Sequence, residues 1–553
     1  MVGGFFRWQN LATKPPWTDE FATLVFSLGH NFNTVALNQV LKLEDILAPL
    51  RPEVGLKTAQ VIDLLLNEDN HPPLYFVLAH WWYALFPAGD GYLDINLGRS
   101  PSVWFGIVSI PLSYVIVRWL KPQNRLLPQG VALLMALSPY GVFIAQEARH
   151  YSLAVLWILA SLGCCLKASQ KLAQGRPLPL SLVGAWSLFN ALALSTHFFT
   201  GLFLLAEFLG LGIWFVERTH TPLWPLSPSG LGRWGRPLAG VILATLMVAL
   251  IWAGIITQRG FGNGMTQWLA LDQRNILAWL GPVVQLLAAW ITMFTLLPVE
   301  SPQLLVALIS GVGMLVYLLS CLPKIKAGLH LAQQGENASE VRLLVLIWGC
   351  LIFLYLAIAY GAGMDITRGA RYSFNFLPLL ILLAAWGLGE WTRVQPQRFN
   401  YWAVVLLMGI ISSGSVTHNL GYQKYYRPEQ LLTLVAQTPP RGLPLLVTTH
   451  QSLVQTGELM GIALEAQRHF PQLKEQLHFA LIPQSKINSP EATQQLSQLV
   501  NRQQKPLDLW LVNFLAPVEL PQCYASQQKP LAVNGYNYHH WVCPAGATVN
   551  LKP

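Results

Sequence analysis

Ten long apolar runs, near residues 98–117, 127–145, 150–166, 178–196, 198–216, 237–257, 303–322, 343–364, 373–389 and 400–418, constrain this chain before any other feature is read. Each approaches the roughly 20 residues a helix needs to cross a hydrocarbon core. A chain that is 53% hydrophobic and only 11% charged over 553 residues is too apolar for a soluble protein of that size. Inside a bilayer each backbone polar group must be satisfied within its own segment, which leaves a bundle of helices. The fold expected is therefore mainly α: a polytopic transmembrane helical bundle with a small C-terminal α/β domain outside the cytoplasm.

The formal charge of +9 is no nucleic-acid signal, because the basic residues gather in short loops between apolar runs. Five such loops, 118–125, 167–176, 217–236, 323–342 and 391–398, are assigned to the cytoplasm by the positive-inside rule. The alternation then places Glu147–Tyr151, His197, the 258–302 segment, Gly361–Tyr372 and everything after 418 on the opposite face. Between the loops at 217–236 and 323–342 the number of crossings must be even, yet three apolar stretches occur there. The stretch 276–298, interrupted by Pro282 and Gln285, is the one read as interfacial or re-entrant. His71–Phe86, short and rich in Trp and Tyr, is assigned to the outer interface. The setting expected is a multi-pass cell membrane, inner or plasma.

Three domains are expected. Residues 1–97 form an extracytoplasmic acidic loop with interfacial helices. Residues 98–418 form the transmembrane bundle, and 419–553 an extracytoplasmic α/β domain. In the last, short apolar runs at Leu443–Val447, Leu477–Ile482 and Leu507–Phe514 alternate with helix-like segments at about 453–469 and 490–503. That order suggests some parallel pairing. Cys164, Cys165, Cys321 and Cys350 fall in or beside spans and read as packing residues. Cys523 and Cys543 fall in the exported domain and either pair or stay free. The sequon at Asn337 falls in a loop assigned to the cytoplasm and is read as chance.

Ionisable residues at the mouths of membrane segments are costly and default to a functional role. Gln146-Glu147-Ala148-Arg149-His150-Tyr151 is such a cluster, in which Glu147 and Tyr151, four apart, would share a helical face; a self-neutralising Glu/Arg pair is the bland alternative. Asp19 and Glu20 follow a stiff Lys14-Pro15-Pro16-Trp17 entry. They suit a general base with an acidic neighbour, or simply cap a helix from Phe21 with Thr18 or Asp19 as N-cap. His71 precedes two prolines and a helix start, where it either meets a lipid phosphate or is incidental. Arg371, with Tyr372 beside it, opens an apolar helix, and its guanidinium matches a phosphate bidentately or snorkels to headgroups. His197 is a ligand contact or a satisfied core histidine. Asp19/Glu20, His71, Glu147/Arg149 and Arg371 are all assigned to one face, and that convergence says more than any one motif.

WTDEFATLVFSLGH, NHPPLYF, SPYGVFIAQEARHYSL and RYSFNFLPLLILLAAW, in that order, resemble the membrane-embedded GT-C glycosyltransferases of the protein mannosyltransferase and aminoarabinose transferase kind (glycosyltransferase family 39-like), over roughly residues 5–420. The resemblance implies a polyprenyl-phosphate-linked sugar donor, with Asp19 as catalytic carboxylate, Glu20 as its neighbour and Glu147 as a second acidic position. Donor phosphate would fall to His71, Arg149 and Arg371, with Tyr151, His197 and Tyr372 as additional contacts. Such enzymes carry a membrane helix ahead of the acidic loop, so this chain is expected to begin downstream of one. The acceptor, whether lipid, protein or polysaccharide, and the need for a divalent metal stay open, and no nucleic acid is involved. A transporter or flippase of lipid-linked glycans is the alternative. It would be favoured by inverted repeats and mid-bilayer charges, whereas the charges are read as gathering at one surface.

Overall fold

A computed structural model describes residues 1–53, 55–69, 71–86, 91–219, 235–259, 267–272, 275–335, 338–395, 401–526 and 531–544. Asn337 of the sequon, Asn70 ahead of His71, and the loop arginines 233 and 398 lie outside the described residues. The chain forms two compact units. One comprises Met1–Leu11, Leu65–Leu78 and Arg99–Tyr422, the other Ala12–Leu64, Ala79–Gly98 and Gln423–Pro553.

Unit one is helical. Among the described residues seven helices are long and apolar enough to cross a membrane: Ile95–Leu120, Tyr151–Ala173, Thr200–Arg218, Arg236–Thr257, Leu304–Gln334, Ala338–Gly361 and Ala370–Val394. Their side chains are sorted by surroundings. Tyr151–Ala173 is almost wholly buried, while Leu304–Gln334 leaves Leu308, Val312, Leu315 and Leu319 exposed, as a lipid-facing helix does. Leu304–Gln334 also meets Leu377–Val394 at a glycine pair: a Cβ on Gly328 would lie 1.7 Å from the Gly387 carbonyl oxygen. The backbones touch there because neither residue has a side chain. This helix runs on well past the expected 303–322, so part of the basic segment that carries Lys324 and Lys326 is helical.

The expected span 127–145 is instead a bent pair, Leu126–Leu137 and Pro139–Ala145, meeting at 56°. Pro139 has no N–H to continue the first helix and is well placed to start a second. Ser138 caps that second helix, accepting from the Gly141 N–H, and donates to the Met293 carbonyl at 2.8 Å. Carbonyls at the end of the first helix then need donors. The Arg7 guanidinium, in the short helix Val2–Trp8, supplies them to Met135 and Ala136 at 3.0 Å each, and Ser413 Oγ supplies one to Leu137 at 3.1 Å. The stretch 276–298 holds only the short helices Ile276–Trp279 and Gly281–Thr292.

Charge is not confined to one end of the bundle. Glu207 is fully buried within Thr200–Thr219, where Ser161 Oγ lies 2.9 Å and Trp186 Nε1 2.9 Å from its carboxyl oxygens. Asn190, bonded to Ser161 and Thr245, extends this network over four helices. The sequence reading passed over Glu207. Its partners are all side chains of the bundle, so it ties helices together.

Unit two is built on a six-stranded sheet in the order β1-β3-β2-β4-β6-β5: β1 Leu41–Lys42, β2 Leu443–His450, β3 His478–Pro483, β4 Leu507–Val512, β5 Tyr524–Ala525 and β6 Tyr538–Cys543. The central strands β3, β2 and β4 are parallel and the outer ones antiparallel. Parallel strands need a helical crossover. Leu453–His469 joins β2 to β3 and Pro490–Asn501 joins β3 to β4. A Ser452/Gln455 capping box starts the first helix, and Ser489 with Pro490 starts the second. Leu445, Val447, Ile482, Leu496, Leu509 and Leu511 pack in one core. The three strands and two helices expected from the sequence are all present. The short β1, from the amino-terminal segment, pairs antiparallel with β3, so this unit draws on two stretches of chain that the sequence reading kept apart. Cys523 and Cys543 form a disulfide.

Candidate functional site

In unit one the helix Pro139–Ala145 stops at Gln146, whose side-chain amide donates to the carbonyls of Phe6 and Gln9. Residues 147–150 then form a bend, with the Arg149 N–H on the Glu147 carbonyl at 2.7 Å, and the next helix starts only at Tyr151. The expected sharing of a helical face by Glu147 and Tyr151 is therefore corrected: the backbone between them is not helical. The bend turns its residues inward. Glu147, Arg149, His150 and Tyr151 are each no more than 2% exposed.

Arg149 is the centre of this arrangement. Its Nη2 lies 3.1 Å from His71 Nε2, and His71 Nδ1 lies 2.9 Å from the Asp69 carboxylate. A guanidinium only donates. His71 Nε2 must therefore accept, and Nδ1 carries the proton that goes to Asp69. The backbone is held as well: Ser102 Oγ donates to the Arg149 carbonyl at 2.7 Å and is itself 2.6 Å from the Tyr75 hydroxyl. The guanidinium carbon stands 5.8 Å from the Tyr151 ring centre.

Two further imidazoles lie beside it. The His150 ring is 5.3 Å from His71 and 4.5 Å from His197, centre to centre, and both its nitrogens are buried without a hydrogen-bond partner among the described residues. Burial, then the positive charge of His197, Arg149 and His71, holds the His150 imidazole well below its ordinary range. His197 is lowered by the same causes, burial first, and its Nδ1 accepts the Phe199 N–H at 2.9 Å. Both rings are neutral near pH 7, so His197 is a buried, bonded ring and not a cation. Tyr372 closes this side, 6.4 Å from both Tyr151 and His197. The backbone carbonyls of Ala370 and Arg371 accept from the Tyr140 hydroxyl at 3.1 and 3.0 Å. Arg368, the other arginine of that loop, is tied to Asp365 and to the Trp268 carbonyl. Unit one thus brings together His71, Arg149, Tyr151, His197 and Tyr372 from four separate segments.

Asp19 and Glu20 belong to unit two. The helix there is Thr18–Ser27, with Trp17 at the cap and no side-chain cap bond, so the expected start at Phe21 with Thr18 or Asp19 as N-cap is corrected. Both carboxylates lie in the first turn, where the exposed N–H groups favour negative charge. Asp19 is half-buried, while Glu20 is fully buried, 3.6 Å from Lys424 Nζ. Lys424 in turn stands 5.4 Å from the Trp17 ring centre. The helix sits tightly on Leu453–His469, where a Cβ on Gly457 would come within 2.6 Å of Thr18.

Sequence reasoning missed Asp69, His150 as a separate element, and Lys424. Asp69 carried a readable signal, an acid two residues ahead of a histidine held by Pro72 and Pro73. Lys424 carried none, because only the fold brings it to Glu20. Among the described residues no three His, Cys, Asp or Glu side chains are grouped so as to hold a metal ion.

No protein-family model matches the sequence, and no curated protein matches it. Solved structures do. The chain is similar to ArnT from Cupriavidus metallidurans bound to undecaprenyl phosphate, at 12% identity and a TM-score of 0.51, over 98% of this chain and 96% of that one. The apo form of the same protein gives 11% identity and 0.48 over 92% and 90%. An oligosaccharyltransferase from Archaeoglobus fulgidus, in complex with zinc and sulfate, is a weaker likeness at 13% and 0.40, over 79% and 55%. The fold is that of the ArnT structure. The expected architecture, a mainly helical GT-C-type membrane bundle with a small C-terminal sheet region, is borne out.

Proposed function

We propose that this chain is a membrane glycosyltransferase that moves a sugar from a polyprenyl-phosphate-linked donor to an acceptor on the extracytoplasmic face. The observation that carries the reading is Arg149: a buried guanidinium, oriented by an Asp69–His71 relay, within a fold shared with a protein solved with undecaprenyl phosphate bound.

Arg149 and Arg371 hold the donor phosphate, and their charge stabilises it as it leaves. Both His71 nitrogens are engaged, so His71 acts as the positioning residue of Arg149 and not as a phosphate ligand. Asp19, half-buried in the first turn of its helix, is the general base. It takes the proton of the acceptor hydroxyl as the acceptor oxygen bonds to the anomeric carbon. The bond from that carbon to the phosphate oxygen breaks, and its electron pair leaves with the phosphate. One such displacement inverts the anomeric centre. Glu20, neutralised by Lys424, steadies the helix turn that presents Asp19, and Glu147 is the second acidic position. Tyr151, His197 and Tyr372 wall the pocket beside Arg149. The flippase alternative draws nothing from Glu207, whose bonds stay within the bundle.

The test is release of polyprenyl phosphate from a radiolabelled polyprenyl-phosphate sugar by protein reconstituted in liposomes. Asp19→Asn should abolish release while the protein remains folded; full activity in that variant rejects the base. A product of unchanged anomeric configuration rejects the single displacement. Movement of intact donor across the bilayer without sugar transfer supports the flippase instead.

A further inference from the structure

The sheet of unit two has a point where its chain paths diverge. From the carboxyl end of β2 the chain passes through Leu453–His469 to β3 on one side, and from the end of β4 it leaves toward β5 and then β6 on the other. In open sheets with parallel strands such a point opens a crevice that commonly holds a ligand. Here a cavity of about 290 Å³ lies at it, lined by Gln455 and Glu458 following β2, Asn513 following β4, Asn537, and the rings of Tyr425 and Tyr426.

Two features mark this cavity as a built site. Asn513 has φ of 47°, a left-handed conformation that asparagine accepts more readily than most residues. It is held there by its N–H on the Asn537 carbonyl at 2.7 Å and by its Oδ1, which accepts the Asn537 N–H at 2.9 Å. Burial pushes the Glu458 carboxyl above the usual carboxylate range, against the lowering influence of Tyr426 and Asn513. The lining has no Lys or Arg among the described residues, and its one histidine, His539, stands alongside a carboxyl, that of Glu458, so it is poorly suited to a phosphate or other anion. It offers planar amide and carboxyl groups, each able to serve two neighbouring hydroxyls, and aromatic faces for C–H surfaces.

We infer that this crevice binds a neutral saccharide, one sugar ring seated against Tyr425 and Tyr426 with its hydroxyls on Gln455, Glu458 and Asn537. The volume, about that of ten waters at roughly 30 Å³ each, suits a single ring. Sugar binding there can be measured without the transfer reaction.

Full-length protein in phospholipid nanodiscs, free of sugar-headed detergent, is examined by saturation-transfer NMR against methyl α-mannoside, cellobiose and N-acetylglucosamine. Choline and inorganic phosphate serve as controls. At least one sugar should receive saturation on its ring protons. The signal should fall about fivefold or more in Tyr425→Ala and in Asn537→Ala, the loss of one ring or hydrogen-bond contact. Tyr425 is 74% exposed and Asn537 is also exposed, so both variants keep the fold. Asp19→Asn should bind as the wild type does, which separates this site from the proposed reaction. Silence from all three sugars, signals unchanged in both variants, or binding of choline or phosphate alone overturns the inference.

Discussion

Each unit buries a cation beside a carboxylate, but by different means. In unit two, Lys424 meets Glu20 directly, with the Trp17 ring alongside. In unit one, the His71 imidazole stands between the two, one nitrogen on Arg149 and the other on Asp69. A direct pair neutralises charge and has little more to do, so it acts chiefly on stability. A histidine set between cation and carboxylate adds direction to charge, because each of its nitrogens fixes one neighbour. Arg149 is fully buried and Lys424 mostly so; the intervening imidazole is the larger difference.

The comparison can be broken where its effects are largest. Arg149→Ala should lower kcat/KM for a polyprenyl-phosphate sugar by about 100-fold or more, the usual cost of removing a charged donor from a developing anion. His71→Gln should cost about tenfold, and adding it to Arg149→Ala should cost nothing further, because the imidazole acts through the guanidinium. Additive losses would show His71 touching the donor itself. Next in size, Glu20→Ala leaves a buried ammonium and should destabilise the folded protein by about 3–5 kcal/mol in thermal melts. Glu20→Leu with Lys424→Met should recover most of that loss. A double variant as unstable as the single one would deny that the pair acts by neutralisation.

A smaller effect sharpens the contrast within unit one. The His150 imidazole is held below its usual range in the fold, so the unfolded chain takes up its proton first as pH falls. Stability is then intact above about pH 6.5 and declines below it, by about 1.4 kcal/mol per pH unit for one such group. His150→Phe should lessen the loss between pH 7.5 and 5.5 by about 1 kcal/mol or more and change nothing above pH 7. Equal slopes in both proteins would mean that His150 titrates freely. Smallest of all, Glu217→Gln should shift stability by no more than about 0.5 kcal/mol. Its partner Arg342 is 47% exposed, and solvent screens the pair.

How much of this was readable from residues depends on how far apart the partners lie in the chain. The spans were readable because apolar runs report on one segment at a time, and the central strands and crossover helices of unit two for the same reason. The bend at Ser138–Pro139 was locally visible and overlooked, since apolarity continues across it. Its donor, Arg7, was not visible, being 129 residues from Ala136. Strand β1 has two residues, too few for any pattern, and becomes a strand only through β3. Likewise the cluster 146–151 showed where chemistry gathers. That its backbone bends, and that His71 would spend both nitrogens on neighbours, required the fold.

The kink at residue 138 has a bearing on how the protein is made. Val2–Trp8 is synthesised well before the carbonyls that Arg7 satisfies, 129 residues on, so the guanidinium finds its acceptors only after the broken helix has been made. Later helices then pack on a bend whose broken carbonyls are already held, which makes Val2–Trp8 a latch on that bend.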